Sequence, residues 1–512
     1  MLNAVGRDIP EEILRKTGKD VFRGSQAKDG FVYQKTGPNT RAAVKPGQDK
    51  LVPSIRAVLE ACGIRDGMTI SFHHHFRNGD KVLNMVMEEI HAMGIKDLTI
   101  SASSMGAQND PIVYMLDDGT ITNIESSGVR GEIGRAISAG RLKGLATMRS
   151  HGGRIRAIES GETHIDIAFI GAPTADCSGN LNANGGKADC GVLSYAVVDA
   201  QYADKVVAIT DTLVDFPNMP AQISQIYVDY VVVVDEIGDP KKIATGAAKP
   251  TTDQRKLLMA RYCTDFVVRT PYFREGFSYQ TGVGGASIAS TVYLAEVMRE
   301  RGIHMGWGCG GIAKPMCELL EEGLIGQLVD TQDFDEYAIR SVAANPKHHF
   351  ITGSEYANPF NKGAYVNQLD FVILASLEVD THFNCNVVVG SDCNPTSGSW
   401  TSAYDGVTIT DSSKVDIDHM VPLAEAWRSG AADWTKDDRT KFANDLTRPQ
   451  LLAVSASSNR SKGDQTPATW MPTQTSFRCD YTKAWIAVKS YWKLSVDTAE
   501  KDALQKELNA CA

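Results

Sequence analysis

The sequence predicts an α/β fold, with helices covering a parallel sheet, followed by a small and separate α+β domain. Short apolar runs alternate with helical or glycine-rich segments from residue 67 onwards, an alternation typical of a parallel sheet covered by helices. The composition then changes near residue 393. Six of the seven tryptophans lie after this point, but only one of the eleven histidines does. Because one domain gives no physical reason for this division, two units are predicted.

Length and charge set broad limits on function. A chain of 512 residues can bury several cores. Residues 393–512 contain 14 Lys and Arg against 15 Asp and Glu, so almost all of the net charge of −10 belongs to the first unit. Neither unit is basic as a whole, and a nucleic-acid contact would need a local patch. No stretch is apolar enough to span a membrane, and we expect no membrane partner.

Cysteine usage and the N-terminus suggest a compartment. The ten cysteines include no CxxC pair, and the seven before residue 393 are scattered, as expected for reduced thiols in a cytosolic protein. The first residues lack a basic start followed by an apolar run, so no signal peptide is predicted. These observations favour a cytoplasmic location.

In chain order, the first unit begins with a polar extension, residues 1–55, that carries one helix at 10–17. After it the pattern predicts strand, glycine turn and helix in alternation. The predicted elements are a strand at 68–72, a helix at 80–93, a strand at 98–101, and further strands at 165–171, 205–210 and 229–235.

A weak internal repeat divides the first unit into two halves. Gly67-Met-Thr-Ile-Ser-Phe restarts at Gly276-Phe-Ser-Tyr-Gln-Thr, and His164-Ile-Asp-Ile-Ala-Phe is echoed by Gln368-Leu-Asp-Phe-Val-Ile. In the first copy the second strand leads to a glycine-rich loop at 184–191. The equivalent loop would begin just after Gly390, where the composition changes, so the second half is predicted to be incomplete. The predicted domains are 1–55, 56–250, 251–392 and 393–512.

Two glycine clusters are candidate ligand-binding turns. The first contains Gly282, Gly284 and Gly285 and precedes a predicted helix at 289–300; the second contains Gly308, Gly310 and Gly311. Glycines at such turns let backbone N–H groups approach an anionic or carbonyl ligand. The alternative is a tight turn without a ligand, which is about equally common. The run His73-His-His75 could bind a metal. Consecutive strand residues alternate faces, so at most two of the three side chains could converge on one ion.

Three motifs give these features a family context. Phe72-His-His-His-Phe-Arg-Asn-Gly-Asp80, Ser278-Tyr-Gln-Thr-Gly-Val-Gly-Gly285 and Gly302-Ile-His-Met-Gly-Trp-Gly-Cys-Gly-Gly311 resemble the citrate lyase α subunit, over residues 1–392. The resemblance implies tandem CoA-transferase-like α/β halves. It also implies an exchange in which citrate and an acetyl acyl-carrier-protein thioester give citryl thioester and acetate. The implied partners are the β subunit, which cleaves the citryl group, and the γ subunit, the carrier with its CoA-derived prosthetic group.

The expected chemistry is attack of a citrate carboxylate on a thioester carbonyl. Such a site needs anion-binding N–H groups and an oxyanion donor, for which both glycine clusters are candidates. Related CoA-transferases use a covalent glutamate in a segment resembling 302–311, and this sequence has none there. Its absence favours direct exchange between substrates. The incomplete second half nevertheless predicts weak binding of CoA-like ligands and loss of most exchange.

The C-terminal unit carries a sharper motif, Asp416-Ile-Asp-His-Met-Val-Pro422, on a predicted strand at 414–418. A helix ending near Gly430, a second helix capped by Thr435, a strand at 451–455 and a helix starting at 459 should follow. The last predicted element is a helix with an apolar stripe between 484 and 492. Lys483, Lys489 and Lys493 lie off that stripe.

Asp-His-x-x-Pro followed by Asn-x-x-Lys resembles the HNH, or ββα-metal, nucleases, in particular a tryptophan-rich secreted branch. The resemblance implies that His419 is the general base and that Asp418 and Asn459 hold Mg²⁺ or another divalent cation. Asp416 would support these ligands without binding the cation itself. Arg460 and Lys462 would contact phosphate, and DNA is the implied substrate. The alternative, an isolated Asp-His pair in a loop, is common, but the Asn and Lys at the expected positions favour a nuclease.

The secreted character of that branch also implies a disulfide of Cys479 with either Cys393 or Cys511. Three functional alternatives stay open: a transferase carrying a nuclease domain, a chain in which only the nuclease works, and a fusion with neither activity. Because both units resemble trimmed versions of their families, an artificial or mis-assembled fusion is the favoured explanation of the junction.

Overall fold

The computed structural model describes residues 1–3, 8–18, 20–21, 34–37, 40, 43–45, 48–243, 251–282, 284–376, 378–379, 385–386, 400–409, 414–445 and 448–511. Backbone contacts divide the chain into two compact units, with the boundary after Ser376. Apart from Ser138–Gly140, the first predicted half and the second half up to Ser376 lie in one unit, whereas residues 377–392 fall in the other. Among the described residues, no helix combines the length and the apolar character that a membrane crossing requires. Cys393, one of the two predicted disulfide partners of Cys479, lies outside the described residues.

The strands up to Ser376 are β1 (Leu51–Val52), β2 (Thr69–Phe72), β3 (Leu98–Ala102), β4 (Ile121–Ser126), β5 (Ala146–Met148), β6 (Ile167–Gly171), β7 (Thr174–Ala175), β8 (Leu181–Asn182), β9 (Lys205–Thr210), β10 (Tyr230–Val233), β11 (Phe277–Thr281), β12 (Met305–Ile312), β13 (Leu328–Asp333), β14 (His348–Phe350) and β15 (Phe371–Ile373).

The helices of the same part are α1 (Glu11–Thr17), α2 (Ile55–Cys62), α3 (Val82–Ala92), α4 (Tyr114–Asp117), α5 (Gly131–Ser138), α6 (His151–Glu159), α7 (Ser194–Tyr202), α8 (Gln254–Val267), α9 (Gly285–Arg301), α10 (Lys314–Glu322), α11 (Glu336–Ala344) and α12 (Gly353–Ala357). The predicted early helix and the five predicted strands are confirmed to within three residues at each end. The helix predicted at 289–300 begins earlier, at Gly285.

Two parallel sheets organise the first unit. Within the described ranges, the first sheet has eight strands in the order β1-β10-β9-β6-β2-β3-β4-β5, and the second has five in the order β14-β13-β12-β11-β15. All five residues of β6 are buried, as expected for a central strand with helices on both faces. The predicted parallel α/β architecture is confirmed.

The internal repeat is visible in the sheet order. The series β5-β4-β3-β2-β6 of the first sheet has the same order and direction as β14-β13-β12-β11-β15 of the second. An aspartate in the same position links the two central strands of each sheet. Asp166, just before β6, accepts a hydrogen bond from Thr69 N of β2 at 2.7 Å, and Asp370, just before β15, accepts one from Ser278 N of β11 at 2.9 Å. The two halves are therefore copies of one arrangement.

The second copy is shorter than the first. Beyond β6 the first sheet continues through β9, β10 and β1, whereas in the described residues the second sheet ends at β15. Val372 on this edge strand is 46% exposed, and Leu374 just after it is 64% exposed. Exposed apolar side chains at the last described strand of a sheet favour association.

The halves pack closely through helices. Short helix α12 of the second half contacts α6 and α7 of the first. A Cβ at Gly152 in α6 would lie 1.9 Å from the carbonyl oxygen of Ala357, so only glycine permits this approach. Asn358 donates to Glu159 Oε2 at 3.0 Å across the same contact. This packing brings the carboxyl ends of strands from both sheets to one region.

After Ser376 the strands are β16 (Glu378–Val379), β17 (Cys385–Asn386), β18 (Trp400–Thr401), β19 (Thr408–Ile409), β20 (Val415–His419) and β21 (Leu451–Ser455), and the helices are α13 (Leu423–Arg428), α14 (Lys436–Ala443), α15 (Ala456–Lys462), α16 (Arg478–Tyr491) and α17 (Thr498–Ala510). Strands β20 and β21 pair antiparallel, with His419 opposite Leu451. Thr435 caps α14 as predicted.

The C-terminal unit has its own aromatic core. Trp485, Tyr481, Tyr404 and Phe442 are fully or almost fully buried in it, whereas Trp427 is 53% exposed. Cys479 forms a disulfide with Cys511, one of the two pairings the sequence allowed.

The expectation that Lys489 lies off the buried face of its helix is wrong. Its side chain is buried, and Nζ lies 2.9 Å from Glu425 and 2.8 Å from Glu500. Because α17 packs against α16, it covers a face that the periodicity of α16 alone leaves open.

Candidate active sites

A histidine links the two sheets of the first unit. His74 follows β2, and its Nδ1 lies 2.6 Å from the hydroxyl of Ser103, which follows β3. Its Nε2 lies 3.1 Å from Oε1 of Gln332 on β13, and Gln332 Nε2 donates to the His74 carbonyl at 3.1 Å. Ligands in α/β proteins bind at the carboxyl ends of parallel strands. His74 is therefore held by both halves at the place where a ligand is expected.

Two aromatic rings enclose this histidine. His151 and Tyr195 stack on His74 with centroids 5.7 Å and 5.5 Å away, and the two lie 4.8 Å from each other. Removal from water, with neighbouring His151 and Arg77, lowers the pKa of His74 well below its usual value. Burial, with Arg154 and Arg130 nearby, lowers the pKa of His151 to about 4. Both imidazoles are therefore neutral near pH 7.

The second half contributes a further polar group beside these rings. Gln280 at the end of β11 donates to the hydroxyl of Tyr356 at 2.7 Å, and the Cys309 thiol lies 3.6 Å from Gln280 Oε1. Burial raises the pKa of Cys309 to about 12, so the thiol is protonated at neutral pH. A protonated thiol is a poor nucleophile. We call the seven residues His74, Ser103, His151, Tyr195, Gln280, Gln332 and Tyr356 the inter-half cluster.

Cationic side chains border the inter-half cluster. Arg77 has a left-handed backbone with φ of 49°, uncommon for a residue with a side chain and frequent at functional sites. Burial, with Arg130 nearby, lowers its pKa to about 10, so it stays charged at pH 7. In the described part of the chain, Arg130 forms no ion pair with a carboxylate. Two guanidinium groups near each other favour binding of an anion with several carboxylates.

The other two histidines of the triplet have separate partners. His73 Nε2 lies 3.1 Å from Asp199, which also accepts two hydrogen bonds from Arg154 at 2.9 Å and 2.6 Å. Burial opposes ionisation of Asp199, but Arg154 and His73 outweigh it and hold its pKa below the usual range. His75 Nε2 lies 2.8 Å from the Gly171 carbonyl. No group of potential metal ligands in the described residues includes these histidines, so the metal interpretation of the triplet is not supported.

The first glycine cluster lies where the sequence predicted. Gly282 follows β11, and Gly284 and Gly285 begin α9, whose first turn has no side-chain cap. Uncapped N–H groups at the start of a helix of this length can bind an anion or a developing oxyanion. Gly282 N is already used, because it donates to the Ile373 carbonyl at 2.9 Å. Among the described residues, the uncapped N–H groups at the helix start are therefore the candidate donors.

The second glycine cluster is not a turn, and that prediction is wrong. Gly308, Gly310 and Gly311 lie in β12, and Gly308 N donates to the Gln327 carbonyl at 3.0 Å. A Cβ at Gly311 would lie 2.0 Å from the Phe334 ring, and one at Gly310 would lie 2.8 Å from Gln280. These glycines let other side chains pack against the strand. The sequence alone shows glycine content, which is compatible with either role.

In the C-terminal unit, His419 ends β20. Its Nε2 lies 2.9 Å from the Ala443 carbonyl, which can only accept. The neutral ring therefore carries its proton on Nε2, and Nδ1 keeps its lone pair for another proton. This is the protonation state that a general base requires.

Two predicted roles beside His419 are wrong. Lys462 is fully buried, and its Nζ lies 2.6 Å from both Asp418 Oδ2 and the His419 carbonyl. The Tyr404 hydroxyl also donates to Asp418 Oδ2. Lys462 cannot contact a phosphate from this position, and Asp418, 4% exposed, already has two donors on one oxygen. On α15 the lysine faces β20, an orientation that spacing in the motif does not reveal.

Asp416 is better placed than Asp418 for a ligand. It is two residues before Asp418 and so on the same face of β20, but its side chain is 29% exposed. Asn459 Nδ2 donates to Asp416 Oδ2 at 3.0 Å, and Arg460, 76% exposed, lies 4.0 Å from the same oxygen. Asn459 and Arg460 thus occupy positions compatible with their predicted roles.

Sequence reasoning missed most of the inter-half cluster. Ser103, Gln332 and Gln280 all lie at the carboxyl ends of strands, and polar residues at such positions are a usable signal. His151 and Tyr195 lie in helices and carry no such signal.

Comparison with known proteins gives different relatives for the first unit and for the C-terminal unit. A family model described as "Citrate lyase, alpha subunit (CitF)" matches residues 48–415. The citrate lyase alpha chain of Haemophilus influenzae is 47% identical over 365 residues, which cover 71% of this chain and 73% of that protein. The crystal structure of a citrate lyase alpha subunit from Streptococcus mutans, in complex with citrate, is similar with a TM-score of 0.72 and 48% identity. The similarity covers 76% of each chain.

The C-terminal unit has different relatives. A model described as "GmrSD restriction endonucleases, C-terminal domain" matches residues 392–507. An uncharacterized secreted protein of Arthroderma benhamiae is 56% identical over 126 residues, which cover 25% of this chain and 62% of that protein. The chain therefore carries a GmrSD-type C-terminal domain, and over most of its length it belongs to the citrate lyase alpha subunit family.

Proposed function

We propose that the first unit is a transferase that exchanges acetyl for citrate on an acyl-carrier-protein thioester. The observation that supports this most strongly is the inter-half cluster, in which His74 is held by Ser103 of one half and Gln332 of the other. A site shared by both halves can place two substrates side by side, and such placement is a large part of the rate acceleration. Citrate and the carrier thioester are the two substrates.

The proposed reaction needs no nucleophile from the protein. A citrate carboxylate oxygen attacks the acetyl carbonyl, and the carrier thiolate leaves as a mixed anhydride forms. The thiolate then attacks the citryl carbonyl of the anhydride and expels acetate, which yields the citryl thioester. The uncapped N–H groups at the start of α9 would stabilise the oxyanion of each addition. Arg77 and Arg130 would hold the remaining carboxylates of citrate.

The proposed partners follow from the substrates. The thioester is carried by the CoA-derived prosthetic group of a γ subunit, and a β subunit would cleave the citryl product. A cytoplasmic location is proposed on a separate ground, because the seven cysteines before residue 393 are all free, as expected in a reducing compartment.

We expect citrate binding to persist while exchange is slow. The inter-half cluster is complete, but within the described residues the second sheet ends at β15 and has no counterparts of β9, β10 and β1. Misplacing a reacting group by about 1 Å can slow a reaction about a hundredfold. With acetylated carrier protein and labelled citrate, citryl thioester should form about a hundredfold more slowly than with the Haemophilus influenzae alpha chain. Equal rates would show that the shorter second sheet does not limit the exchange.

We expect Arg77 to determine citrate affinity. Losing a hydrogen-bonded charged group costs about 1.5–3 kcal/mol, so Arg77→Ala should raise the Kd of citrate by about ten- to a hundredfold in calorimetric titrations. Arg77→Gly removes the guanidinium and also the strain of the left-handed backbone, and it should weaken binding equally. Arg141→Ala, which removes an exposed partner of Asp117, serves as the matched control and should bind citrate normally.

We infer that the C-terminal unit is a metal-dependent phosphodiesterase acting on DNA. The observation that favours this second function is the His419 ring, whose Nε2 proton is directed to Ala443 so that Nδ1 can take a proton from water. Arg460 would bind a phosphate oxygen.

The donor set decides which residues could hold the cation. Asp416 and Asn459 fit it, because their side chains meet at 3.0 Å at a partly exposed position and both offer oxygens, the ligand atoms that suit Mg²⁺. Asp418 does not fit, since Lys462 and Tyr404 already occupy its Oδ2. When bound, the ion would stabilise charge on the departing oxygen.

The relatives of the two units support the proposal that the chain is a fusion. The first unit matches bacterial citrate lyase alpha chains, and the second matches a fungal secreted protein. A Cys479–Cys511 disulfide is also expected of a secreted domain rather than of a cytoplasmic transferase.

A further inference from the structure

Three buried side chains at the second sheet form a cluster that the proposed transferase reaction does not use. Asp330 and Asp333 lie on β13, and His348 lies on the neighbouring strand β14. Each is at most 1% exposed. One ligand atom from each can be chosen so that all three lie within 4.8 Å of one another.

Asp333 is the unusual member of this cluster. Neither of its carboxylate oxygens has a hydrogen-bond donor among the described residues, although both are buried. Within the same residues it forms no ion pair. A buried carboxylate without a donor or counter-charge is strongly unfavourable. The negative charge at this position must be neutralised, either by a proton shared with the neighbouring Asp330 or by a positively charged partner.

The surroundings of Asp333 leave little room for a large partner. Gly191 of the first half has φ of 82°, and a Cβ there would lie 1.7 Å from Asp333 Oδ2. A cation bound at this position would be enclosed and small. No described lysine or arginine lies within ion-pair distance of Asp330 or Asp333.

The other two residues are arranged as metal ligands usually are. His348 Nδ1 lies 2.9 Å from the Ser341 hydroxyl, and its Nε2 lies 3.1 Å from Asp330 Oδ2. Neighbouring ligands of a tetrahedral ion with bonds of about 2.1 Å are about 3.4 Å apart. Ligating histidines commonly bond through the other ring nitrogen to a fixed partner, a role that Ser341 can fill. Asp330 is itself fixed, because Oδ1 accepts from Gln332 N at 2.7 Å.

We propose that Asp330, Asp333 and His348 bind one divalent transition-metal ion, with Zn²⁺ bound more tightly than Mn²⁺. Two carboxylates and a neutral imidazole suit such an ion and balance its charge. Gln332 lies between the two aspartates in sequence and contacts His74. The ion therefore fixes the end of β13 and, through Gln332, the position of His74.

The test uses the full-length chain carrying Asn459→Ala, so that the C-terminal site does not contribute. After incubation with Zn²⁺ and gel filtration, elemental analysis should find one ion per chain. Adding Asp333→Asn or His348→Ala should reduce the zinc retained per chain at least about tenfold. His164→Gln is the matched control, because His164, Asp166 and Asp204 form a similar but more exposed group.

Cobalt provides a measurement that does not depend on the folding of a variant. Co²⁺ bound to nitrogen and oxygen ligands in the Asn459→Ala chain should give visible absorption that excess Zn²⁺ abolishes. The proposal is overturned if this chain retains neither ion, or if Asp333→Asn retains as much as its parent. Loss of the ion with His164→Gln instead would also overturn it.

Discussion

Replacing His419 with alanine should reduce DNA cleavage by the C-terminal unit by about two to four powers of ten, the usual scale for loss of a general base. Nε2 of this ring is committed to the Ala443 carbonyl, so Nδ1 is the atom that takes the proton from water. His419 is also the only histidine after residue 393, and the sequence offers no substitute imidazole nearby. Plasmid nicking with Mg²⁺ measures the effect.

Two controls distinguish loss of the base from loss of the fold. The His419→Ala chain should keep the tryptophan fluorescence of the parent, since the ring is only partly buried. His164→Ala, which changes an exposed histidine of the first unit, should cleave at the parent rate. Cleavage that persists in EDTA, or that is the same in His419→Ala, would rule out the assigned mechanism.

Replacing Lys462 with methionine should destabilise the C-terminal unit by about 3–5 kcal/mol, because it leaves a buried carboxylate without its cation. Among the described residues, Asp418 would keep the Tyr404 hydroxyl as its remaining side-chain donor. The methionine retains the apolar stem, so the loss is mainly electrostatic. Six of the seven tryptophans follow residue 393, and urea unfolding followed by tryptophan fluorescence therefore reports on this unit.

The chain offers a matched lysine and a compensating change. Lys441 pairs with Asp437 one turn away on α14 but is 63% exposed, and Lys441→Met should leave the unfolding midpoint unchanged. Asp418→Asn combined with Lys462→Met should recover much of the lost stability, since no buried charge is left alone. An unchanged midpoint in Lys462→Met, with weaker DNA binding in its place, would restore the phosphate-contact interpretation.

Local and periodic features were predictable from the sequence. The alternation of apolar runs and helices indicated the parallel strands, and the repeated strand motifs at 67 and 276 indicated the two halves. The change in composition predicted a second unit from residue 393, and the backbone contacts divide the chain after Ser376. The Asp-His motif also pointed to His419, whose role as general base stays a prediction. These features are carried by neighbouring residues, whose pattern reflects burial on one strand or helix.

Contacts between distant elements were decided only by the tertiary structure. His74 and Gln332 are 258 residues apart, and nothing in either segment specifies their pairing. The orientation of α15 on β20 buries Lys462, although the same motif allows it to face solvent. The glycines of β12 serve packing against Phe334 and Gln280 rather than a turn. In each case, the role of a side chain depends on which surface meets it, and that is determined by packing across the whole unit.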